Sequence, residues 1–150
     1  MSVIFDTANS NDISELIRLR IAYITDDYGS ISEDDQHAME EQLPGYFERK
    51  LGKDFIAFVA RADGQLVATA YLLIIEKPAN PSMQNGLVGE VLSVFTEKRY
   101  RGQGISTRLM NDLVKFLSEV SYSEQIKRAD FAITYICSEC DSSRLYQIAT

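Results

Sequence analysis

The stretch that decides the fold is residues 91–109, which read VLSVFTEKRYRGQGISTRL. An apolar segment over residues 91–96 leads into a basic turn with two glycines, and an amphipathic segment begins at Ile105. This order predicts a strand, a loop and a helix. The first turn of a helix leaves about four N–H groups unpaired and carries partial positive charge, while glycines allow close approach of a ligand. The loop therefore suits a phosphate or pyrophosphate group.

Basic residues concentrate around this loop in an otherwise acidic chain. The sequence has 22 acidic and 15 basic side chains and a net charge of −7. The local exception consists of Lys98, Arg99, Arg101 and Arg108. The overall negative charge argues against a nucleic-acid partner, because phosphate backbones repel acidic proteins.

Two common phosphate motifs fit this loop poorly. A P-loop requires a lysine after its last glycine, whereas Ile105 follows Gly104. The dinucleotide fingerprint requires a third glycine where Thr107 stands. A surface helix start with basic residues and incidental glycines remains an alternative.

The surrounding pattern predicts a mixed α/β fold with a mostly antiparallel centre. Strands are predicted over residues 2–8, 55–61, 66–75, 87–96 and 131–136, with a hairpin turn at Asp63-Gly64. Helices are predicted from Ile13 to Gly29, from the capping residue Ser32 with an interruption or kink at Pro44-Gly45, and over residues 105–118 and 142–149. The length of 150 residues predicts a single domain over residues 1–150.

Composition predicts a cytoplasmic protein without a membrane partner. No apolar run approaches the ~20 residues that cross a bilayer, and the N-terminus lacks the pattern of a signal peptide. Cys137 and Cys140 form a C-x-x-C pair without a second pair, and His37 is the one histidine. We therefore expect reduced thiols, a surface histidine and no metal.

Residues 101–106, RGQGIS, resemble the acyl-CoA motif of the GNAT N-acetyltransferase superfamily, Arg/Gln-x-x-Gly-x-Gly/Ala. Ser106 stands where the family has glycine or alanine. The order of predicted elements is also similar to the family over nearly the whole chain. The resemblance implies a GNAT-like sheet flanked by helices and transfer of an acetyl group from acetyl-CoA, by direct attack, to a primary amine of a small molecule or peptide.

The same resemblance implies which residues hold acetyl-CoA. The pyrophosphate would lie on backbone N–H groups and one hydroxyl contributed by Arg101, Gly102, Gln103, Gly104, Ile105, Ser106 and Thr107. The pantetheine arm would pair with a splayed strand at a bulge, at positions that fall on Val94, Phe95 and Thr96.

Two residues are implied for proton transfer. The family often places a tyrosine acid in a Leu-Tyr pair on its last helix, which corresponds to Tyr146; the alternative is a tyrosine that only packs that helix. Glu90 lies on the strand that leads to the bulge, where many members carry a glutamate or route a water. Alternatively, Glu90 is a solvent-exposed glutamate at a strand edge.

The chain departs from the family after Tyr146, because the family normally continues into a further strand. The resemblance therefore implies that the usual C-terminal strand is lacking through truncation, exchange in a homodimer, or loss together with activity. A non-catalytic acyl-CoA-binding or sensing domain, and a scaffold-type interaction module, remain alternatives to the enzyme.

Acidic residues in and between the first two helices suggest a cationic acceptor. They are Asp26, Asp27, Glu33, Asp34, Asp35, Glu40 and Glu41. A negative rim would attract a polyamine, an amino sugar or a basic peptide N-terminus. A solvated acidic helix is the alternative interpretation.

Overall fold

Six strands form one sheet in chain order, β1-β2-β3-β4-β5-β6, in the computed structural model. The structure describes residues 2–81, 84, 86–121, 132–135 and 144–147. The strands are β1 (Ile4–Thr7), β2 (Phe55–Ala62), β3 (Gln65–Glu76), β4 (Leu87–Thr96), β5 (Ala132–Tyr135) and β6 (Arg144–Gln147). The β4–β5 pair is parallel and the other pairs are antiparallel, which confirms the predicted mixed α/β fold with a mostly antiparallel sheet.

Three helices flank the sheet: α1 (Ile13–Tyr28), α2 (Glu33–Lys50) and α3 (Ile105–Ser121). As predicted, α1 ends at Gly29, and Ser32 caps α2 by accepting the Asp35 N–H at 3.1 Å. The expected interruption at Pro44-Gly45 is wrong, because α2 continues through Pro44. Proline removes one N–H from the helix ladder, but Leu43 and Phe47 beside it are buried and keep the helix on the sheet.

The two faces of the sheet carry two separate apolar clusters. On one face, α1 and α2 bury residues that include Leu16, Leu19, Phe47, Phe55 and Tyr71. On the other face, α3 buries Leu109, Leu113 and Leu117 against residues of β2, β3 and β4. Because side chains alternate along a strand, β4 contributes to both clusters.

Glycine permits close contact between α3 and β4. A Cβ atom at Gly89 would lie 3.2 Å from Leu72 Cδ1 and 3.6 Å from Leu117 Cδ1, so a larger residue would push the helix away. The predicted hairpin at Asp63-Gly64 is confirmed, because both residues have the positive φ of a type I′ turn, 51° and 77°.

The prediction of a final helix over residues 142–149 is wrong at residues 144–147. Arg144–Gln147 forms β6, which pairs with β5 so that Tyr146 lies opposite Ile133. Local preference in this short segment is weak, and pairing with an otherwise open strand edge favours the extended form. The expected absence of a further strand after Tyr146 concerns residues 148–150, which lie outside the described residues, as do Cys137 and Cys140.

A charged cluster fixes β1 and the start of α1 onto β2. The guanidinium of Arg61 on β2 donates two hydrogen bonds of 2.7 Å to the carboxylate of Asp12 and one of 3.0 Å to Asp6. Asp12 also accepts the N–H of Asn9 at 2.9 Å. The hydrogen bonds from Arg61 lower the pKa of Asp12 below its ordinary value of 3.8, although burial acts in the opposite direction.

We predict that Asp12→Asn weakens the dependence of stability on acid pH. A carboxyl whose pKa is lowered by folding stabilises the fold above its unfolded pKa, and this stabilisation is lost as pH falls below about 3.8 through the folded pKa. The variant should lose about 1–3 kcal/mol at pH 7. Its free energy of unfolding should then fall less than that of the wild type between pH 5 and pH 3.

Urea denaturation at several pH values measures both effects. Asp27→Asn serves as the control because Asp27 is exposed at the end of α1. Equal pH profiles for the wild type and Asp12→Asn would contradict the stabilising role of this cluster.

Candidate functional site

A β-bulge interrupts β4 near its end. Tyr71 pairs with Leu92, but Thr69 pairs with Phe95, so Ser93 and Val94 together lie opposite the single residue Ala70. Ser93 has a positive φ of 49°, which a side-chain-bearing residue rarely adopts. The bulge shifts the alternation of side chains: Leu92 and Phe95 pack with the α1–α2 cluster, whereas Val94 packs with the α3 cluster.

Two hydrogen bonds hold Ser93 in this conformation. The Thr69 hydroxyl on β3 donates to the Ser93 carbonyl at 2.9 Å, and Arg20 Nη1 on α1 donates to the Ser93 hydroxyl at 2.5 Å. Thr69 and Ser93 are each 1% exposed. A backbone strain of about 1–3 kcal/mol is typical for such a residue, and buried hydrogen bonds can offset it. We refer to Arg20, Thr69 and Ser93 as the bulge clamp.

Beyond the bulge, β4 runs along β3 alone in the part of the chain that the structure describes. Pairing with β5 covers Val88 to Val91, while β4 continues to Thr96 opposite Ala68 of β3. The backbone of Val94, Phe95 and Thr96 therefore presents one side that no described strand occupies. An unpaired strand edge can bind an extended ligand through its N–H and C=O groups.

The loop between β4 and α3 places backbone donors at the start of α3. Gly102 and Gly104 have φ of 74° and 77°, and a Cβ atom at either would meet nothing within 4 Å. The first hydrogen bond of α3 joins the Arg108 N–H to the Gly104 carbonyl at 3.0 Å. The N–H groups of residues 105–107 thus precede the helix ladder, and residues 101–104 are exposed.

Ile105 anchors this loop while its neighbours face solvent. Ile105 is buried in the α3 cluster together with Tyr100 from the short 3₁₀ turn Lys98–Tyr100. Gln103, Ser106 and Thr107 are exposed, so this end of α3 is accessible to a ligand. The predicted loop residues therefore lie together at one helix N-terminus, where the helix dipole favours an anion.

Arg101 connects the loop to β4 and α1. Its Nε donates to the Thr96 carbonyl at 2.8 Å, its Nη2 forms an ion pair with Asp26 at 3.2 Å, and its guanidinium lies 5.5 Å from the centre of the Phe95 ring. The Thr96 hydroxyl oxygen is buried and has no hydrogen-bond partner among the described residues. Buried polar atoms are usually bonded, so this oxygen is consistent with a partner outside the described residues.

The other basic residues near the loop differ in their orientation. Arg108 turns away from the loop, since it bonds to Asp112 at 3.1 Å and lies 4.6 Å from the centre of the Phe5 ring. Arg99 lies 5.0 Å from the centre of the Tyr100 ring, and Lys98 is exposed. The predicted positive charge around the loop is therefore partly neutralised by partners within the protein.

Two cavities lie between α1 and α2, next to the bulge. The smaller, about 170 Å³, is lined by aromatic and apolar side chains including Tyr46, Tyr71 and Leu92. The larger, about 550 Å³, extends along the α1–α2 connection and includes Asp35. Arg20, Gln42 and Leu43 line both cavities, so the two are adjacent and Arg20 lies where they meet.

The acidic residues do not form a continuous rim around these cavities. Asp35 lines the larger cavity, and Asp26 is paired with Arg101. Four others, Glu33, Asp34, Glu40 and Glu41, are exposed on α2. His37 is exposed beside them, 3.2 Å from Glu41, as expected for a surface histidine.

The backbone positions of Glu90 and Tyr146 lie close together across the sheet. Glu90 is half-buried on β4 and lies opposite Leu73 of β3 and Thr134 of β5. Tyr146 lies on β6 opposite Ile133, which pairs with Gly89. Two strand spacings separate them, or about 10 Å. The predicted pair therefore occupies neighbouring backbone positions, although Tyr146 is on a strand and not on a helix.

Burial raises the pKa of Tyr46, and the charges of Arg20 and Glu90 act on it in opposite directions. Tyr46 therefore lies within electrostatic reach of both residues. Glu90 precedes Leu92 by two positions on β4, so it faces the same side as the smaller cavity. The α1–α2 face thus places Arg20 and Glu90 near an apolar cavity, together with the ion pair between Lys50 and Asp54.

The bulge clamp and the cavity tyrosine Tyr46 were not predicted from the sequence. The indication of the clamp in the sequence was Arg20, because this charged residue lies on the apolar side of α1. The buried residues on that side are Leu16, Leu19 and Tyr23. Ser93 and Thr69 give no such signal, because polar residues inside strands are common and their pairing depends on a register shift.

Within the described ranges, no group of three or more His, Cys, Asp or Glu side chains is arranged to hold a metal ion. None of the described helices is long and apolar enough to cross a membrane.

Comparison with known proteins assigns this architecture to a family. The family model described as "Acetyltransferase (GNAT) family" matches residues 18–134, which include most of α1, the bulge and the loop before α3. This match covers most of the chain, and the chain belongs to the GNAT acetyltransferase family. No curated protein matches the sequence.

Solved structures share the fold. A predicted acetyltransferase with acetyl-CoA from Clostridium acetobutylicum is 25% identical, with a TM-score of 0.77 over 92% of this chain and 82% of that chain. A GCN5-related N-acetyltransferase from Ralstonia eutropha JMP134 is 19% identical, with a TM-score of 0.76 over 92% and 85%. Glucosamine-6-phosphate N-acetyltransferase from Arabidopsis thaliana is 14% identical, with a TM-score of 0.63 over 100% and 98%.

We predict that Thr69→Val destabilises the protein through the bulge. Valine keeps the shape of threonine but leaves the buried Ser93 carbonyl without its donor, so the free energy of unfolding should fall by about 1–3 kcal/mol. Amide hydrogen exchange should also accelerate at residues 93–96. The matched control is Thr25→Val, whose hydroxyl bonds to the Ile21 carbonyl within α1. Equal effects of the two substitutions would show that the bulge does not depend on Thr69.

Proposed function

We propose that this protein is an N-acetyltransferase that transfers an acetyl group from acetyl-CoA to a primary amine of a small molecule or peptide. The observation that carries the proposal is the continuity of two ligand-binding features. The edge of β4 at residues 94–96, which no described strand occupies, is followed after residues 97–100 by the donor loop at residues 101–107. One extended ligand with a pyrophosphate at one end matches this arrangement. The related structure from Clostridium acetobutylicum, with acetyl-CoA, supports this choice of ligand.

The residues that would hold acetyl-CoA form two groups. The pyrophosphate would accept hydrogen bonds from the loop formed by Arg101, Gly102, Gln103, Gly104, Ile105, Ser106 and Thr107. The backbone of Val94, Phe95 and Thr96 would pair with the pantetheine arm and orient the thioester. When bound, acetyl-CoA supplies an activated acetyl group whose carbonyl carbon accepts the amine as the C–S bond breaks.

The exposed β4 edge can also support catalysis. Backbone N–H groups at residues 94–96 are fixed by the bulge clamp, so they would need little reorganisation to donate to a carbonyl oxygen that gains negative charge. The same clamp brings the cavity between α1 and α2 next to β4 at Leu92. The acceptor amine would therefore enter from the cavity side, and acetyl-CoA from the loop side.

Glu90 is our proposed base and Tyr146 our proposed acid. Glu90 faces the cavity side of β4 and would take the proton of the ammonium group, directly or through a water. Tyr146 would donate a proton to the departing thiolate. Its backbone position near Glu90 across β5 is compatible with a role in the same reaction.

Other sequence predictions remain proposals. They are a single domain over residues 1–150, a cytoplasmic location, a homodimer and the absence of a metal, a nucleic-acid partner and a membrane partner.

We predict that Gly104→Val abolishes binding of acetyl-CoA. A valine side chain would occupy the open space in front of the α3 N-terminus, where the pyrophosphate is expected. Wild-type protein with acetyl-CoA at ~100 times its dissociation constant should gain roughly 2.7 kcal/mol of stability. Thermal denaturation with and without acetyl-CoA measures this gain, and Gly104→Val should lose it.

Gly52→Val is the matched control for backbone strain. Gly52 also has a positive φ, 81°, with nothing within 4 Å of a Cβ atom, and it lies in the α2–β2 connection. This variant should be destabilised similarly yet keep the shift with acetyl-CoA. The absence of a shift in the wild type would reject both the enzyme and the acyl-CoA-binding module, while an unchanged shift in Gly104→Val would reject the loop as the site.

We predict that Glu90→Gln and Tyr146→Phe each lower kcat by about 10²–10⁴-fold, the usual range for removal of a positioned acid or base. Both variants should keep their affinity for acetyl-CoA. A mass-spectrometric screen with pooled amines identifies an acceptor, and thiol release then gives the rates. Glu76→Gln, at the exposed end of β3, is the control and should keep full activity. Unchanged kcat in either variant would remove that residue from the mechanism.

A further inference from the structure

Arg20 is a partly buried cation that has no carboxylate partner among the described residues. It is half-buried, its Nη1 bonds to the neutral Ser93 hydroxyl, and its guanidinium lies 5.5 Å from the centre of the Tyr23 ring. No carboxylate of the described residues lies within ion-pair distance of it. Since a guanidinium has five N–H donors, the bond to Ser93 leaves others for a ligand.

Four other arginines of the described elements have carboxylate partners. Arg18, two positions earlier on α1, pairs with Glu15 and Glu97, and Arg61 pairs with Asp6 and Asp12. Arg101 pairs with Asp26, and Arg108 pairs with Asp112. Arg49 and Arg99 also have no carboxylate partner among the described residues, but both are exposed, so Arg20 differs from them in being half-buried.

The surroundings of Arg20 strengthen its interaction with an anion. It lies where the two cavities meet, and Phe47, Phe55 and Leu92 line the smaller of them. Apolar walls exclude water and lower the effective dielectric constant, so charges interact more strongly there than on an open surface. A partly desolvated cation is costly unless an anion approaches it.

We propose that the acceptor carries, besides its amine, a carboxylate or phosphate group that binds Arg20. This inference rests on the proposed acetyltransferase function and specifies its substrate class. The amine would lie toward Glu90, which faces the same side of β4, while the anionic group would occupy the cavity at Arg20. The acceptor is thus a small molecule that bears an ammonium and an anion a short distance apart.

The position of Arg20 argues against a purely cationic acceptor such as a polyamine. A second ammonium group in the cavity would face the guanidinium at the junction, and Asp35 lies on the larger cavity alone. The exposed acidic residues of α2 would attract such a molecule only to the outer surface. An anionic group on the acceptor removes this conflict because it neutralises Arg20.

Equilibrium binding to the full chain saturated with CoA tests the proposal without requiring turnover. Isothermal titration compares matched amines: an amino acid with its carboxamide, and an amino sugar phosphate with the unphosphorylated amino sugar. The anionic member of at least one pair should bind at least about tenfold more tightly, as expected for a charge-assisted hydrogen bond. The two pairs distinguish a carboxylate from a phosphate.

Three variants assign the preference to the charge of Arg20. Arg20→Gln should reduce the preference to below about threefold, and Arg20→Lys should retain part of it. Arg18→Gln removes a paired charge from the same helix and should retain the preference. If Arg20→Gln fails to fold, the binding preferences of the wild type and of Arg20→Lys still test the proposal.

Equal binding of both members of every pair, no binding by any amine, or an undiminished preference in Arg20→Gln would overturn the proposal. Different results would reject the proposed function and the proposed substrate class. An anion preference without acetylated product in the mass-spectrometric screen would reject the enzyme and leave the anion site standing. Acetylation of neutral amines without an anion preference would reject the substrate class alone.

Discussion

The bulge at Ser93 is the constraint on which the rest of the site depends. Thr69 fixes its backbone carbonyl and Arg20 fixes its hydroxyl, so one residue joins β3, β4 and α1. Without the bulge, the regular alternation of side chains would turn Phe95 toward α3, and β4 would continue as a regular strand. The bulge therefore determines both the packing of the two apolar clusters and the position of the exposed backbone.

Three parts of the proposed site are arranged along this one strand. Glu90 and Leu92 precede the bulge on the same face of β4, and Leu92 lines the smaller cavity. Residues 94–96 follow it with an unpaired edge, and Arg101 bonds back to Thr96 where the loop begins. The loop and the cavity belong to different layers, and β4 is the element that brings them together.

The central part of this architecture was predictable from the sequence. The two glycines of RGQGIS and the apolar runs beside them predicted β4, the loop and α3 in their correct order, because local chemistry dominates there. The hairpin at Asp63-Gly64 was predictable for the same reason, since positive φ at both positions requires particular residues. The resemblance to a known family added the location of the bulge to within one or two residues.

The remaining features depend on tertiary contacts that no local pattern reveals. Residues 144–147 pair with β5 instead of forming a helix, and Pro44 is accommodated because Leu43 and Phe47 hold α2 on the sheet. The acidic residues of the first two helices predicted a substrate rim, yet Asp35 lines the larger cavity and the others of this set line neither cavity. Arg20 matters because of where α1 places it against β4, which follows from packing and not from spacing. A crystal structure of the protein with acetyl-CoA tests the central claim most directly. We expect the pyrophosphate on residues 101–107 and the thioester carbonyl beside residues 94–96; acetyl-CoA bound elsewhere, with this loop unoccupied, would contradict the account.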